Sequence, residues 1–293
     1  MLAINGLYTA IVTPFKNGEL DKSTFQSLLD KQSDAGVDGI VVCGSTGEAA
    51  TTSNEEKVEL WQWAVEHMQG KTPIIAGTGN NDTRASIDLT RKAEAVGVQG
   101  ALIVTPYYNK PTPAGQVAHF RAIADSTSLP IVMYNVPART ATNMSAETQI
   151  EIAEACKNVV ATKEASANLE QIGQIVRNAP SHFQVIAGDD VLALPIIALG
   201  GKGVIAVISN YAPRKFGRLI REALVGSYAS AQALQAELAP YYAANFWESN
   251  PGPVKYTLSL LDLCEATYRL PLVPPTAHTQ SALKALFEDF ADA

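Results

Sequence analysis

The chain has 293 residues, 47% of them hydrophobic and 17% charged, with a mean hydropathy of +0.03 and a formal net charge of −7. This balance excludes disordered, collagen-like and coiled-coil chains. Acidic and basic residues are mixed with no basic stripe, which excludes a nucleic-acid binder, and at this length one α/β barrel or two average domains fit equally.

In chain order, a short apolar, β-branched segment alternates with a stretch of helical character. Leu7–Thr13 is followed by a helix that Asp21 or Ser23 opens and that runs through Gln32, with Gly36 beyond its end. Gly39–Cys43 precedes a helix behind Ser53 with Glu55 and Glu56 in its first turn. Pro73–Gly77 precedes one that Asp82 or Thr83 opens and that runs to Glu94, with Gly97 beyond. Side-chain oxygens at helix starts and glycines past helix ends are the usual boundary chemistry. Ala101–Thr105, Pro130–Tyr134, Val159–Lys163, Phe183–Ala187 and Gly203–Ile208 carry the alternation to eight. Near-continuous Val/Ile/Leu runs mark strands buried on both faces of a parallel sheet. The pattern predicts an α/β fold, a (β/α)8 TIM barrel over 1–225; a doubly wound open sheet shows the same alternation. Over 226–293 the strand pattern stops. Ser227–Ala244, Val254–Cys264 and Ala277–Ala293 read as a three-helix extension serving packing or assembly.

Cys43, Cys156 and Cys264 are odd in number, far apart and form no CxxC, the usage of reduced thiols in the cytosol. Residues 1–6 lack a signal-peptide pattern, and the apolar run Val191–Leu199 is too short for a bilayer and holds Pro195. A soluble, cytoplasmic protein is expected.

Barrels of this kind place chemistry at the C-terminal ends of their strands. Lys163 closes the run Val159-Val160-Ala161-Thr162, so its amine belongs at a low-dielectric barrel mouth. Desolvation disfavours an ammonium and frees the amine to attack a carbonyl carbon. The alternative is a lysine paired with Glu164 or with an aspartate on a neighbouring strand. Tyr134 ends the preceding strand and would share the cavity as a proton carrier or simply pack at the rim. In Tyr107-Tyr108 one side chain must point away. Gly44-Ser45-Thr46-Gly47 combines a tight turn, two hydroxyls and backbone N–H groups, a nest suited to a small anion. Asp189-Asp190 has no third ligand, and His67, His119, His182 and His278 are scattered, so no metal is expected. GxSxG, GxGxxG and Walker sequences are absent.

Six runs carry a resemblance that spans essentially the whole chain: Gly44-Ser45-Thr46-Gly47-Glu48, Tyr134-Asn135-Val136-Pro137, Lys163-Glu164-Ala165, Gly188-Asp189-Asp190, Gly203-Val204-Ile205 and Asn250-Pro251-Gly252-Pro253-Val254-Lys255. Together they resemble the pyruvate-dependent class I aldolases of the dihydrodipicolinate synthase and N-acetylneuraminate lyase type. The resemblance implies a (β/α)8 barrel with a helical extension, a homo-oligomer that is usually a tetramer, and no cofactor. It also implies that Lys163 forms a Schiff base with pyruvate while Tyr134 shuttles protons. Ser45 and Tyr108 would complete the relay, Tyr108 from the neighbouring subunit. Thr46 and the backbone around Ser45 would hold the pyruvate carboxylate, with Ile205 against pyruvate and Gly188 at the substrate.

Within the family, Val104–Pro111 and Arg139 are similar to the synthases, in which that arginine receives the carboxylate of aspartate semialdehyde; a guanidinium fork suits a carboxylate. Ser45-Thr46 departs from the synthases' two threonines and is more typical of the lyases, though serine keeps the hydroxyl. The resemblance therefore implies condensation of pyruvate with aspartate semialdehyde. The competing readings are a lyase or a sugar-acid aldolase or dehydratase of the family, and a catalytically silent sensing barrel, against which Lys163, Tyr134 and Thr46 speak. Asn81 and Tyr107 match positions that line a lysine-feedback pocket in sensitive members. Ala85 stands where those have a glutamate, and Asn54 and Lys57 stand at their histidine positions, so inhibition by lysine is expected to be weak or absent.

Overall fold

The computed structural model describes residues 4–292. Eight parallel strands close into a barrel: β1 Gly6–Ala10, β2 Gly39–Val42, β3 Ile74–Gly77, β4 Gly100–Val104, β5 Ile131–Asn135, β6 Val159–Glu164, β7 Gln184–Ala187 and β8 Gly203–Ala206. Each pairs with its neighbours in sequence, and β8 returns to β1, so the open-sheet alternative is excluded. Closure depends on glycine at one point. Gly203 pairs with Gly6, and a Cβ on Gly203 would lie 2.0 Å from the Gly6 carbonyl oxygen. Gly39 likewise leaves room for the Tyr8 ring that fills the barrel interior.

Around the barrel run α1 Lys22–Asp34, α2 Asn54–Met68, α3 Thr83–Val96, α4 Pro113–Ala124, a short α5 Pro137–Thr140, α6 Ala146–Ala155, α7 Leu169–Asn178, α8 Ala193–Ala198 and α9 Pro213–Leu224. The structure settles the start signals. Asp21 and Asp82, rather than Ser23 and Thr83, accept from N–H groups of the first turn, and Ser53 with Glu56 forms a reciprocal capping box. Between β1 and α1 the sequence reading missed a hairpin, Phe15–Lys16 with Glu19–Leu20. Its turn residues Asn17 and Gly18 both take positive φ, the geometry two-residue hairpins prefer.

The chain ends in α10 Tyr228–Ala244, α11 Gly252–Leu260 and α12 Ala277–Leu286. α11 starts and stops earlier than expected. Pro253 sits in its first turn, where a missing N–H costs nothing, and Asp262 turns left-handed beyond its end. α12 stops before Ala293, itself outside the described residues, because Phe287 and Phe290 pack edge-on against Tyr211 and Tyr241. Asp292 then accepts from the Arg214 and Lys215 N–H groups at the start of α9. Leu234, Leu238, Leu258 and Leu283 join one apolar cluster with Phe216, Leu219 and Ile220 of α9. No helix of the described residues is long and apolar enough to cross a membrane.

Candidate active site

Side chains of a strand alternate between faces, and the barrel interior holds Val132 and Tyr134 of β5, Ala161 of β6, Ile186 of β7 and Ile205 of β8. Lys163, two residues beyond Ala161, therefore faces inward. It pairs in register with Tyr134, and its Nζ lies 4.4 Å from the centre of the Tyr134 ring. Lys163 is buried, and among the described residues it makes no ion pair.

Glu164 points the other way. Its Oε1 accepts from Asn135 Nδ2 at 2.7 Å, Gln149 Nε2 at 2.7 Å and Gln171 Nε2 at 3.3 Å, and its Oε2 from the Ser166 N–H and hydroxyl. The Lys163–Glu164 pairing considered from sequence is absent, because consecutive residues of β6 lie on opposite faces.

Asp189 and Asp190 also part company. Asp190 is buried, and its carboxylate accepts from the Val207 and Ile208 N–H groups at 2.9 and 2.7 Å beyond the end of β8. Burial pushes its pKa up to about 6 despite those bonds. Burial raises that of the half-buried Asp189 too, with Lys163 and Arg139 pulling the other way. Among the described residues no three His, Cys, Asp or Glu side chains converge as a metal requires.

A cavity of about 440 Å³ opens at the barrel mouth, lined among others by Ser45, Tyr134, Arg139, Tyr107, Lys57 and Asn250. Tyr134 connects it to Lys163. Thr46, Gly188 and Ile205 are buried outside the lining itself. A Cβ on Gly188 would sit 2.7 Å from that of Ala165, so β7 and the residue after β6 approach too closely there for a side chain. Arg139 rides on α5 and donates from Nη2 to the Asn250 carbonyl at 3.2 Å. Of the Tyr107-Tyr108 pair, Tyr107 faces the cavity. Tyr108 is 89% exposed, at a φ of 70°, and the single chain does not bring it to the other candidates.

The loop after β2 is held by turns: the Gly47 N–H donates to the Gly44 carbonyl, and the Glu48 N–H to that of Ser45. Glu48 adopts a φ of 55° and buries its carboxylate against Lys255, with Nζ 2.6 Å from Oε1 and both side chains fully enclosed. Burial lowers the Lys255 pKa while Glu48 opposes it. The Lys255 ammonium also lies 4.5 Å from the Phe15 ring centre, inside the hairpin that sequence reading missed. Arg269 reaches the same corner, bonding Glu56 through both terminal nitrogens.

Residues 3–289 match the Dihydrodipicolinate synthetase family. The chain belongs to that family. It is 43% identical to the 4-hydroxy-tetrahydrodipicolinate synthase of Maridesulfovibrio salexigens, over 97% of each chain. To the protein of that name in Bacillus subtilis it is 44% identical, over 96% of this chain and 97% of the other. The crystal structure of dihydrodipicolinate synthase from Aquifex aeolicus superposes with a TM-score of 0.96 at 40% identity, covering 97% of each chain.

As a member of the dihydrodipicolinate synthetase family the chain is a class I aldolase-type enzyme on a TIM barrel. Sequence reasoning missed the parts of this family member's site that the extension contributes. Asn250 donates from Nδ2 to the Thr46 hydroxyl at 3.0 Å, and Lys255 neutralises Glu48. Both residues stood in the run Asn250–Lys255 that carried the resemblance, but no local pattern ties them to a loop some two hundred positions earlier.

Proposed function

We propose that this enzyme condenses pyruvate with L-aspartate 4-semialdehyde to 4-hydroxy-tetrahydrodipicolinate through a Schiff base on Lys163. One observation carries the assignment of the nucleophile: a buried lysine that makes no ion pair among the described residues, its Nζ 4.4 Å from the ring centre of Tyr134, at the cavity end of β6. The Lys163 amine adds to the ketone carbon of pyruvate and water leaves, giving the iminium. That iminium accepts the electron pair released when the methyl group loses a proton. The enamine carbon then bonds to the aldehyde carbon, and the aldehyde oxygen takes up a proton. The amino group of the aldehyde substrate finally displaces Lys163 by attacking the imine carbon, closing the ring and freeing the enzyme.

Tyr134 carries protons in and out of the imine steps. Ser45 continues the relay, and Thr46 with the backbone beside Ser45 receives the pyruvate carboxylate. Gly188 lies at the substrate, and Ile205 lies against pyruvate. Arg139, at the cavity wall, takes the carboxylate of the aldehyde substrate in a charge-assisted contact. Tyr108, projecting from its own chain, completes the relay of a neighbouring subunit in a homo-oligomer, in keeping with its exposure. An activity panel of pyruvate with aspartate semialdehyde, N-acetylmannosamine or glyceraldehyde tests the reading. Turnover is expected with aspartate semialdehyde, and preference for either other aldehyde overturns the choice of second substrate.

A further inference from the structure

We infer that Asn250 is a positioning residue, which sets the Thr46 hydroxyl as a hydrogen-bond donor toward the pyruvate carboxylate. The inference rests on the proposed reaction and assigns part of the site to the helical extension, for which the sequence alone suggests only packing or assembly.

A hydroxyl has one proton to give and lone pairs to receive. Asn250 Nδ2 donates to Thr46 Oγ1 at 3.0 Å, in a place where both residues are buried. The Thr46 proton is therefore turned away from the amide and is free for a ligand acceptor. Asn250 Oδ1 is buried without a partner among the described residues, so the bond to Thr46 is what fixes this side chain. The backbone of Asn250 is tied separately, its carbonyl accepting from Arg139 Nη2. The loop itself cannot swing away from the amide, because Lys255, five residues on, clamps Glu48, two residues past Thr46. One short stretch of the extension thus meets Thr46 through a side chain and Arg139 through the main chain. Changing the side chain should act on the first substrate and spare the second.

The test is a double-mutant cycle read as KM for each substrate. Asn250→Leu should raise the KM for pyruvate about tenfold, the scale of one lost hydrogen bond, with a much smaller change for aspartate semialdehyde. In a Thr46→Val background, which has no hydroxyl to orient, the same substitution should change pyruvate KM little. Asn250→Asp keeps the side-chain shape but accepts where the amide donated; it turns the Thr46 proton toward itself and should also weaken pyruvate, which provides the readout should the leucine variant fold poorly. An equal effect of Asn250→Leu in both backgrounds, or an unchanged pyruvate KM in both Asn250 variants, overturns the inference. Borohydride trapping of pyruvate on the wild-type enzyme keeps the two levels apart. If Lys163 is labelled and the cycle shows no coupling, the positioning role alone fails; if Lys163 is not labelled, the reaction it serves fails first.

Discussion

Lys163 and Lys255 are both buried, on strand and helix respectively, and their surroundings differ in one respect, the counter-charge beside them. Lys255 lies where the extension meets the β2 loop, 2.6 Å from the Glu48 carboxylate and beside two aromatic rings. Lys163 lies at the barrel mouth beside one aromatic ring, and the carboxylate next to it in sequence is spent on amide and serine donors on the opposite face of the strand. Burial therefore does not identify the nucleophile. A buried lysine ion-paired as Lys255 is to Glu48 is a fixed strut, whereas one that makes no ion pair among the described residues is open to chemistry. The β-strand alternation that separates Lys163 from Glu164 is what keeps the two cases apart.

The comparison is broken most severely at Lys163. Lys163→Arg should retain the charge and most of the packing, yet lose activity by several orders of magnitude because a guanidinium stays protonated. Circular dichroism and thermal unfolding should show the fold intact, and activity within about tenfold of wild type, roughly 1.4 kcal/mol of barrier, would place the nucleophile elsewhere.

The opposite signature is expected at Lys255. Lys255→Met strands the Glu48 charge and should cost about 3–5 kcal/mol of stability by urea denaturation. Adding Glu48→Gln removes the stranded charge and should restore most of it. A single variant as stable as wild type would mean that the pair is dispensable.

Asp190, a buried acid that makes no ion pair among the described residues, sharpens the same rule. Asp190 rises from 3.8 to about 6, burial being the largest cause, so the folded chain binds its proton more readily than the unfolded one. Its contribution is therefore largest below pH 4 and falls as pH rises to 6, by about 3 kcal/mol in all. Asp190→Asn lacks this slope. The stability of wild type relative to the variant should decline between pH 4 and pH 7, and a constant difference would show that burial does not set this group's protonation.

Arg139 tests the second carboxylate. Arg139→Ala should raise the KM for aspartate semialdehyde by the equivalent of roughly 1.5–3 kcal/mol while pyruvate trapping on Lys163 persists. Equal collapse of both would make Arg139 structural.

The smallest effect expected is a near absence of one. Lys57 lines the cavity, and burial lowers its pKa. Ala85 offers no acceptor for an ammonium. Free lysine at millimolar concentration should leave initial rates almost unchanged and give little heat in calorimetry, whereas inhibition below millimolar would show that another acid recognises it.

Much of this was legible in the sequence for a physical reason. Strands buried on both faces must be nearly all apolar, so the eight runs stand out, and a lysine at the end of one is conspicuous. Asp21, Ser53 and Asp82 announced helix starts because capping is local. What could not be read joins distant parts of the chain or depends on a face. The Asn250–Thr46 bond spans 204 positions and the Lys255–Glu48 pair 207. Whether Lys163 met Glu164 turned on strand alternation, and which of Tyr107 and Tyr108 met the cavity depended on the course of the loop. The small hairpin after β1 was missed because two-residue strands carry no periodicity.

The contrast between the two lysines reduces to one measurement. The enzyme is incubated with pyruvate, reduced with borohydride, digested and mapped by mass spectrometry. A pyruvate adduct on the peptide carrying Lys163, with Lys255 unmodified, is the predicted result; an adduct on Lys255, or none on Lys163, would contradict the account.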